Sequence, residues 1–275
     1  MKGLLRNFSF AAGATMTLVV IVLAIFAPWI ATEDPTRQET SRRLEAPSAQ
    51  HLFGLDDLGR DVFSRVVWGS RVSLRVGMSV VLISSLIGIT LGAVSGYFGG
   101  WADTVIMRLA DILLAFPGIL MAIALVAVLG PSLNNVVFAL SVIGWVGYAR
   151  LVRGQVLKVR EMEFVTAAEA MGAGSPRIIA LHLLPSVINS VIVMATLGLA
   201  GAILAEASLS FLGLGVQPPT PSWGAMLTAG RRYLGIANHL AIFPGIAIMI
   251  AVMGLNFLGD GLIDALDPKY RKTMD

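Results

Sequence analysis

Five stretches of this chain contain no Asp, Glu, Lys or Arg: residues 7–32, 76–102, 112–149, 178–205 and 233–259. Few folds are open to runs of that kind. In hydrocarbon every backbone N–H and C=O must be satisfied internally, and an α-helix does this alone. Crossing about 30 Å of hydrocarbon takes roughly 20 helical residues, so each run holds at least one span. The run 112–149 holds two, because "LGPSLNN" at 129–135 sets a Gly-Pro turn and two Asn in its middle. The expectation is an all-α polytopic membrane protein with six transmembrane helices, at about 9–31, 76–98, 108–129, 134–152, 187–212 and 239–260. An even number of crossings puts both termini on one side.

Composition removes several alternatives. Only 13% of residues are charged and 56% are hydrophobic, whereas a soluble domain carries about 25% charged residues. With no Cys there is neither a disulfide framework nor thiolate chemistry. His51, His182 and His239 are too dispersed for a metal site, and no cofactor is expected. The 16 Arg and 4 Lys are scattered among loops, so nucleic acid is not an expected partner; membrane lipid is. The opening "MKGLLRNFSFAAGATMTLVVIVLAIFAPWI" exceeds the roughly 7–15 apolar residues of a signal peptide and has no A-x-A site. It reads as an uncleaved first span with Lys2 and Arg6 inside.

Orientation follows from basic residues near span ends. With the N-terminus inside, the inner segments carry eleven: Lys2, Arg6, Arg108, Arg150, Arg153, Lys158, Arg160, Arg177, Lys269, Arg271 and Lys272. The outer segments carry nine: Arg37, Arg42, Arg43, Arg60, Arg65, Arg71, Arg75, Arg231 and Arg232. Acidic residues of the 31–75 loop match its seven Arg, while 150–177 sets five basic residues flush against two spans. Both termini are therefore placed inside.

The stretch "EFVTAAEAMGAGSPRIIALHLLP" interrupts the apolar pattern on that inner side. Phe164, Ala167, Ala168 and Met171 fall at i, i+3, i+4 and i+7, one face of a short helix. Gly172 stands where a C′ glycine ends a helix. Ser175 and Pro176 read as N-cap and first residue of the next segment, and Pro185 as its break. A shallow, alanine-rich face suits docking of another protein; a helix resting on lipid headgroups would show the same pattern.

The stretch is similar to the "EAA" loop of permease subunits of binding-protein-dependent ABC importers, through Ala167, Ala168, Gly172, Leu184 and Pro185. Thr166 stands where that family has Glu and His182 where it has Ile, so a salt bridge from the usual Glu is not carried over. Residues 53–74, 107–117, 206–227 and 258–271 resemble the second permease subunit of the dipeptide/oligopeptide/nickel branch. The resemblance implies a type I ABC importer transmembrane domain over 73–264, with the coupling loop at 161–185. Before it come an N-terminal span and an extracytoplasmic amphipathic segment (1–72), and after it a cytoplasmic tail (265–275). It also implies a homologous permease partner, two cytoplasmic ATPase subunits and an extracytoplasmic solute-binding protein, in a bacterial or archaeal cytoplasmic membrane. Peptides are the default substrate of the branch, with nickel or another small solute as alternatives. Phe164, Thr166, Ala167, Ala168, Met171 and Gly172 would form the ATPase contact.

Other residues fit that frame. No Lys follows a Gly-rich loop, so the chain is not expected to be the ATPase itself. Glu206, near one end of the fifth span, is costly in lipid; it faces a path or subunit interface, or snorkels outward. Trp223, after the non-helical "QPPTPS", is grouped with it. Arg108 and Asp111 could pair on one helix face, as could Asp61 and Arg65. Asp260 and Asp264 would form a charge cluster with Lys269 and Arg271. Residues 60–75 read as an amphipathic segment on the outer membrane surface. Small residues (Gly88, Gly92, Ser95, Gly96, Ala195, Gly198, Gly201) would let helices approach closely. A self-sufficient secondary transporter should show ionisable pairs at mid-membrane, and an intramembrane enzyme a nucleophile–base set; neither pattern is present.

The orientation is testable because the chain has no native Cys. Single substitutions Lys158→Cys and Lys272→Cys should resist an impermeant thiol reagent in intact cells, while Gln50→Cys and Thr220→Cys should react. Labelling at 272 and not at 50 would reverse the assignment.

Overall fold

A computed structural model describes residues 8–266 as helices joined by short turns and one long folded loop. Five helical runs are long and apolar enough to cross a membrane: Phe8–Ile25 (α1), Val62–Phe98 (α3), Leu133–Arg160 (α6), Ser175–Phe211 and His239–Ala265. The bent pair Gly100–Leu114 (α4) and Gly118–Leu129 (α5), which meet at 84°, makes a sixth crossing if it is counted as one span. The expected single span over 108–129 is therefore broken. Pro117 has no N–H to continue a helix and disfavours the α conformation in the residue before it, so the chain turns there. Short helices Ala27–Ile30 (α2), Glu163–Ala170 (α7) and Trp223–Arg231 (α10) complete the set.

The fifth crossing also departs from expectation. Pro185 does not break it. The helix starts at Ser175–Ile178 (α8), widens into a π turn over Ile179–Leu183, and continues as Leu184–Phe211 (α9). A π turn gives the proline ring the space that a regular α-turn denies it. Gly174, not Ser175, is the N-cap residue, with Arg177 N–H donating to its carbonyl at 3.0 Å.

Two close helix pairs organise the bundle. Along α3, Gly88, Gly92 and Gly96 lie four apart, on one face. Gly88 sits on Trp145, Tyr148 and Ala149, Gly92 on Ala149 and Val152, and Gly96 on Arg153 and Val156. The register advances together, so α3 and α6 run parallel with their backbones nearly in contact. A Cβ on Gly92 would lie 2.5 Å from the Ala149 carbonyl oxygen. The second pair, α1 with His239–Leu266 (α11), is antiparallel: Gly13 packs on 257–258, Gly254 on Met16 and Thr17, Gly261 on Phe10. Without a hydrophobic drive between helices in lipid, such close packing supplies the attraction.

The segment expected to lie on the membrane surface is instead the first third of α3. Val62, Val66, Val67, Ser70 and Ser73 are buried, and the helix runs unbroken through the expected boundary at 72–73. At about 1.5 Å per residue its 37 residues span about 55 Å, well beyond the hydrocarbon thickness. The loop 31–61 folds over its start. Asp61 caps the helix, accepting from Ser64 N–H at 2.7 Å and Thr32 Oγ1 at 3.2 Å, with His51 Nδ1 at 3.2 Å. The expected Asp61–Arg65 pair is thus absent, because the carboxylate turns back to the helix end. Arg65 instead lies 3.5 Å from Asp56 and donates to the Pro35 carbonyl at 2.8 Å. Asp56 also accepts from Arg60 at 2.7 Å. At the loop's surface, the hydrogen bond from Arg42 holds the Glu45 carboxyl below the usual range.

The glycine stripe gives a direct test. Gly92→Leu should lower the melting temperature of the purified protein sharply, since overpacking costs on the order of 1–3 kcal/mol. Gly201→Ala, where no atom lies within 4 Å of a new Cβ, should melt as the native chain does. Equal melting of all three would remove the stripe from the determinants of the fold.

Candidate functional site

The interrupting loop forms a short, well-terminated helix. α6 ends at Arg160, Met162 turns the chain with its carbonyl accepting from Val165 N–H at 2.9 Å, and α7 follows. Glu163 in the first turn complements the positive end of the helix. Gly172 has φ +83°, as expected of a C′ residue. Its N–H donates to the Glu169 carbonyl at 2.9 Å, and Ala173 N–H reaches back to Ala168 at 3.0 Å. This paired closure satisfies two carbonyls that would otherwise be orphaned.

The face expected to point outward does so at every position except Ala168. Val165 and Ala168 are buried, and Val165 packs with Val159, Ile178 and Leu183 in one apolar cluster. Ala168 is therefore held against its own chain rather than offered outward. Phe164, Thr166, Ala167 and Met171 are exposed, with Met171 83% accessible. Leu181 is exposed nearby, and the Phe164 ring centroid lies 6.3 Å from that of His182. Of the face expected to be offered for docking, only Ala168 turns inward, beside the β-branched Val165.

Two polar contacts hold this region to the adjacent end of α3. Arg160 Nη1 donates to the carbonyls of Gly96 (3.3 Å) and Tyr97 (3.0 Å), and Tyr97 OH donates to Glu169 Oε1 at 3.3 Å. Arg153 grips Asp103 of α4 with two bonds, 2.5 and 2.7 Å, while Ser95 donates to the same carboxylate. Asp111 pairs with Arg150 of α6 at 2.6 Å rather than with Arg108, because helix α6 lies alongside α4. Read from sequence, these arginines were only topology markers; their acceptors lie on other helices. Lys269 and Arg271, expected near Asp260 and Asp264, fall outside the described residues, as do Lys2, Arg6 and Lys272.

Within the spans a groove of about 490 Å³ runs between α3, α5, α6 and α9. Its walls are apolar and small: Val80, Gly118, Gly144, Gly198, Gly201 and Ala202 are among them, with Ser84 and Tyr148. Glu206 is not in this groove. It is fully buried inside the chain between α9 and α3, accepting from Ser210 Oγ at 2.6 Å and Ser73 Oγ at 3.5 Å. Outward snorkelling is excluded by that placement. Among the described residues no cation pairs with it. Trp223 is also buried, donating from Nε1 to the Val66 carbonyl at 2.9 Å and covering Gly69. Ser222 caps α10 through Ala225 N–H at 3.2 Å, and 217–222 before it is non-helical as expected. No group of His, Cys, Asp and Glu able to hold a metal ion occurs among the described residues.

Comparison with known proteins places these features. Residues 88–272 match the model of the binding-protein-dependent transport system inner membrane component family. The chain is 47% identical to the dipeptide transport system permease protein of Alkalihalophilus pseudofirmus, over 98% of this chain and 89% of that one. It is 45% identical to a glutathione transport system permease protein of Pectobacterium atrosepticum, over 97% and 89% of the two chains. Among solved structures, an inward-facing methionine ABC transporter chain superposes with a TM-score of 0.61, covering 74% of this chain and 97% of that one at 19% identity. That likeness is one of fold.

The setting of Glu206 makes its role separable from its folding. Glu206→Gln keeps a hydrogen-bonding group for Ser210 and should accumulate and melt as the native chain. Glu206→Ala leaves both hydroxyls unpaired and should melt lower, by about 1–3 kcal/mol of stability. Loss of transport in the Gln variant at native melting temperature would assign the carboxyl a direct part in passage.

Proposed function

We propose that this chain, which belongs to the family of binding-protein-dependent transport system inner membrane components, is one of two homologous permeases of an ATP-driven importer of short peptides. The observation that carries this reading is α7. An exposed apolar face, Phe164, Ala167 and Met171, stands on a helix closed at its C-terminal end, continuous with α6 and bonded to α3 through Tyr97. A face of that kind suits a groove on a separate ATPase subunit. The chain has no Gly-rich loop followed by Lys to hold a nucleotide's phosphates, so the energy must enter through such a contact.

The rest of the assembly follows from the same logic. Two ATPase subunits would close beneath the pair of permeases, and an extracytoplasmic binding protein would deliver solute at the opposite end. The glycine-lined groove is this chain's share of the path. Its apolar walls and lack of charge suit solutes that must pass without being retained. Peptides are favoured because relatives alike over nearly the whole chain are named for dipeptide and glutathione transport. The membrane is the cytoplasmic one, with α7 and both termini on its cytoplasmic face.

A tagged native chain, co-expressed with the remaining subunits, should bring down an ATPase and support ATP-dependent uptake of a labelled dipeptide. Met171→Asp should leave membrane levels unchanged, since the side chain is outside the packed interior. It should reduce recovered ATPase on the order of tenfold, a change of about 1.4 kcal/mol in association. Full recovery of the ATPase with Met171→Asp and Ala167→Trp would make α7 a headgroup-facing helix.

A further inference from the structure

The contacts at the end of α3 point beyond docking itself. The last carbonyls of any helix lack intrahelical donors. At this end Gly99 N–H serves the Ser95 carbonyl, leaving those of Gly96 and Tyr97 for others. Arg160 Nη1 serves both, bringing a cation to the negative end of the helix dipole. Arg160 is the last residue of α6, two positions before the turn into α7. Tyr97, whose carbonyl it holds, itself donates through its hydroxyl to Glu169 on α7. The side chains of α7 buried against the rest of the chain are small, Val165 and Ala168. Apolar contact alone gives such a helix little purchase.

From this geometry we infer that Arg160 and Tyr97 are positioning residues that clamp α7 to α3, so that displacement of the docking helix is delivered along α3 to the far end of the bundle. α3 is suited to carry it. It is unbroken for 37 residues and stiffened against α6 by the Gly88, Gly92, Gly96 contact. Its far end is gripped twice: by the 31–61 loop through Asp61, and by Trp223 on the Val66 carbonyl. A helix fixed at one end to the motor contact and at the other to the outer loops transmits movement without a chain of intermediate repacking events. This inference rests on the reading of α7 as the ATPase contact.

The test uses the complete complex in proteoliposomes, measuring ATP hydrolysis and dipeptide uptake in the same preparation. Arg160→Ala should retain native amounts of ATPase and near-native hydrolysis, with dipeptide moved per ATP falling on the order of tenfold, within the usual range for a lost coupling. Arg160→Lys, which keeps a cation at the two carbonyls, should recover most of that ratio. Tyr97→Phe, which removes only the hydroxyl, should show a smaller drop and guards against a folding defect at 160. An unchanged ratio in Arg160→Ala and Tyr97→Phe overturns the inference. So does a parallel fall of hydrolysis and uptake, or loss of the ATPase from Arg160→Ala, since either makes Arg160 part of docking or folding alone. Failure of the underlying reading is seen separately, in the native chain, as absence of any co-purifying ATPase.

Discussion

Close approach of α3 and α6 is the contact on which the remaining architecture depends. Lipid tails are as apolar as leucine, so helices gain nothing from merely hiding apolar surface from lipid. They gain from dispersion, which falls steeply with separation. Gly88, Gly92 and Gly96 remove the side chains that would hold the two backbones apart. The pair then presents α5 on one side and α9 on another, and both the groove and α7 are built from what it leaves. α6 leads straight into α7, while α3 supplies the carbonyls that Arg160 holds.

Polar groups are managed differently at the two ends of α3. At its start, charges are buried and must be fully partnered, since an unpaired buried charge is costly. Asp56 accepts from Arg60, lies beside Arg65, and also takes the Leu58 and Arg60 N–H groups; Asp61 takes the helix N-terminus, Thr32 and a position beside His51. Such a network tolerates little rearrangement. At the other end, Arg150–Asp111, Arg153–Asp103 and Arg160–Glu161 are partly open to solvent, where ion pairs contribute at most about 1 kcal/mol each. The start of α3 is therefore joined rigidly to its loop, and the end beside α7 is held by bonds that are open to solvent.

Much of this was legible in the sequence, for reasons that can be named. Spans announce themselves because hydrocarbon excludes charge, so each charge-free run holds a long helix except 112–149, where Pro117 adds a break. The turn at 130–132 followed from Gly-Pro, with Gly130 at φ +92° and Asn135 Nδ2 closing onto the Leu129 and Gly130 carbonyls. Gly172 was found because its position after a periodic stretch demands a left-handed backbone. Residues 60–75 were misread for the opposite reason. Charge there looked like exposure, whereas Arg60 and Arg65 are neutralised by a loop whose fold local periodicity does not encode. The partner of Asp111 and the role of Arg160 were hidden likewise, because both depend on which helices become neighbours. The Pro185 error was one of degree: proline forbids a regular α-turn, and a π turn is a way to continue.

The placement of α7 ties these observations together. A helix of eight residues is too short to be stable by itself in water, so its shape must be imposed by its ends and its neighbours. Gly172 and Ala173 close one end, the Met162 carbonyl accepts the first intrahelical bonds at the other, and Val165 packs with Ile178 of α8 and Leu183 of the π turn. Burial of one valine and one alanine contributes only about 2–4 kcal/mol. The helix is thus rigid in form and only lightly attached by apolar packing, and its attachment to α3 is polar and directional. Directional bonds constrain orientation more than apolar packing does, because they weaken steeply when bent. A short helix held in that way follows the helix to which its bonds point, and those bonds point to α3.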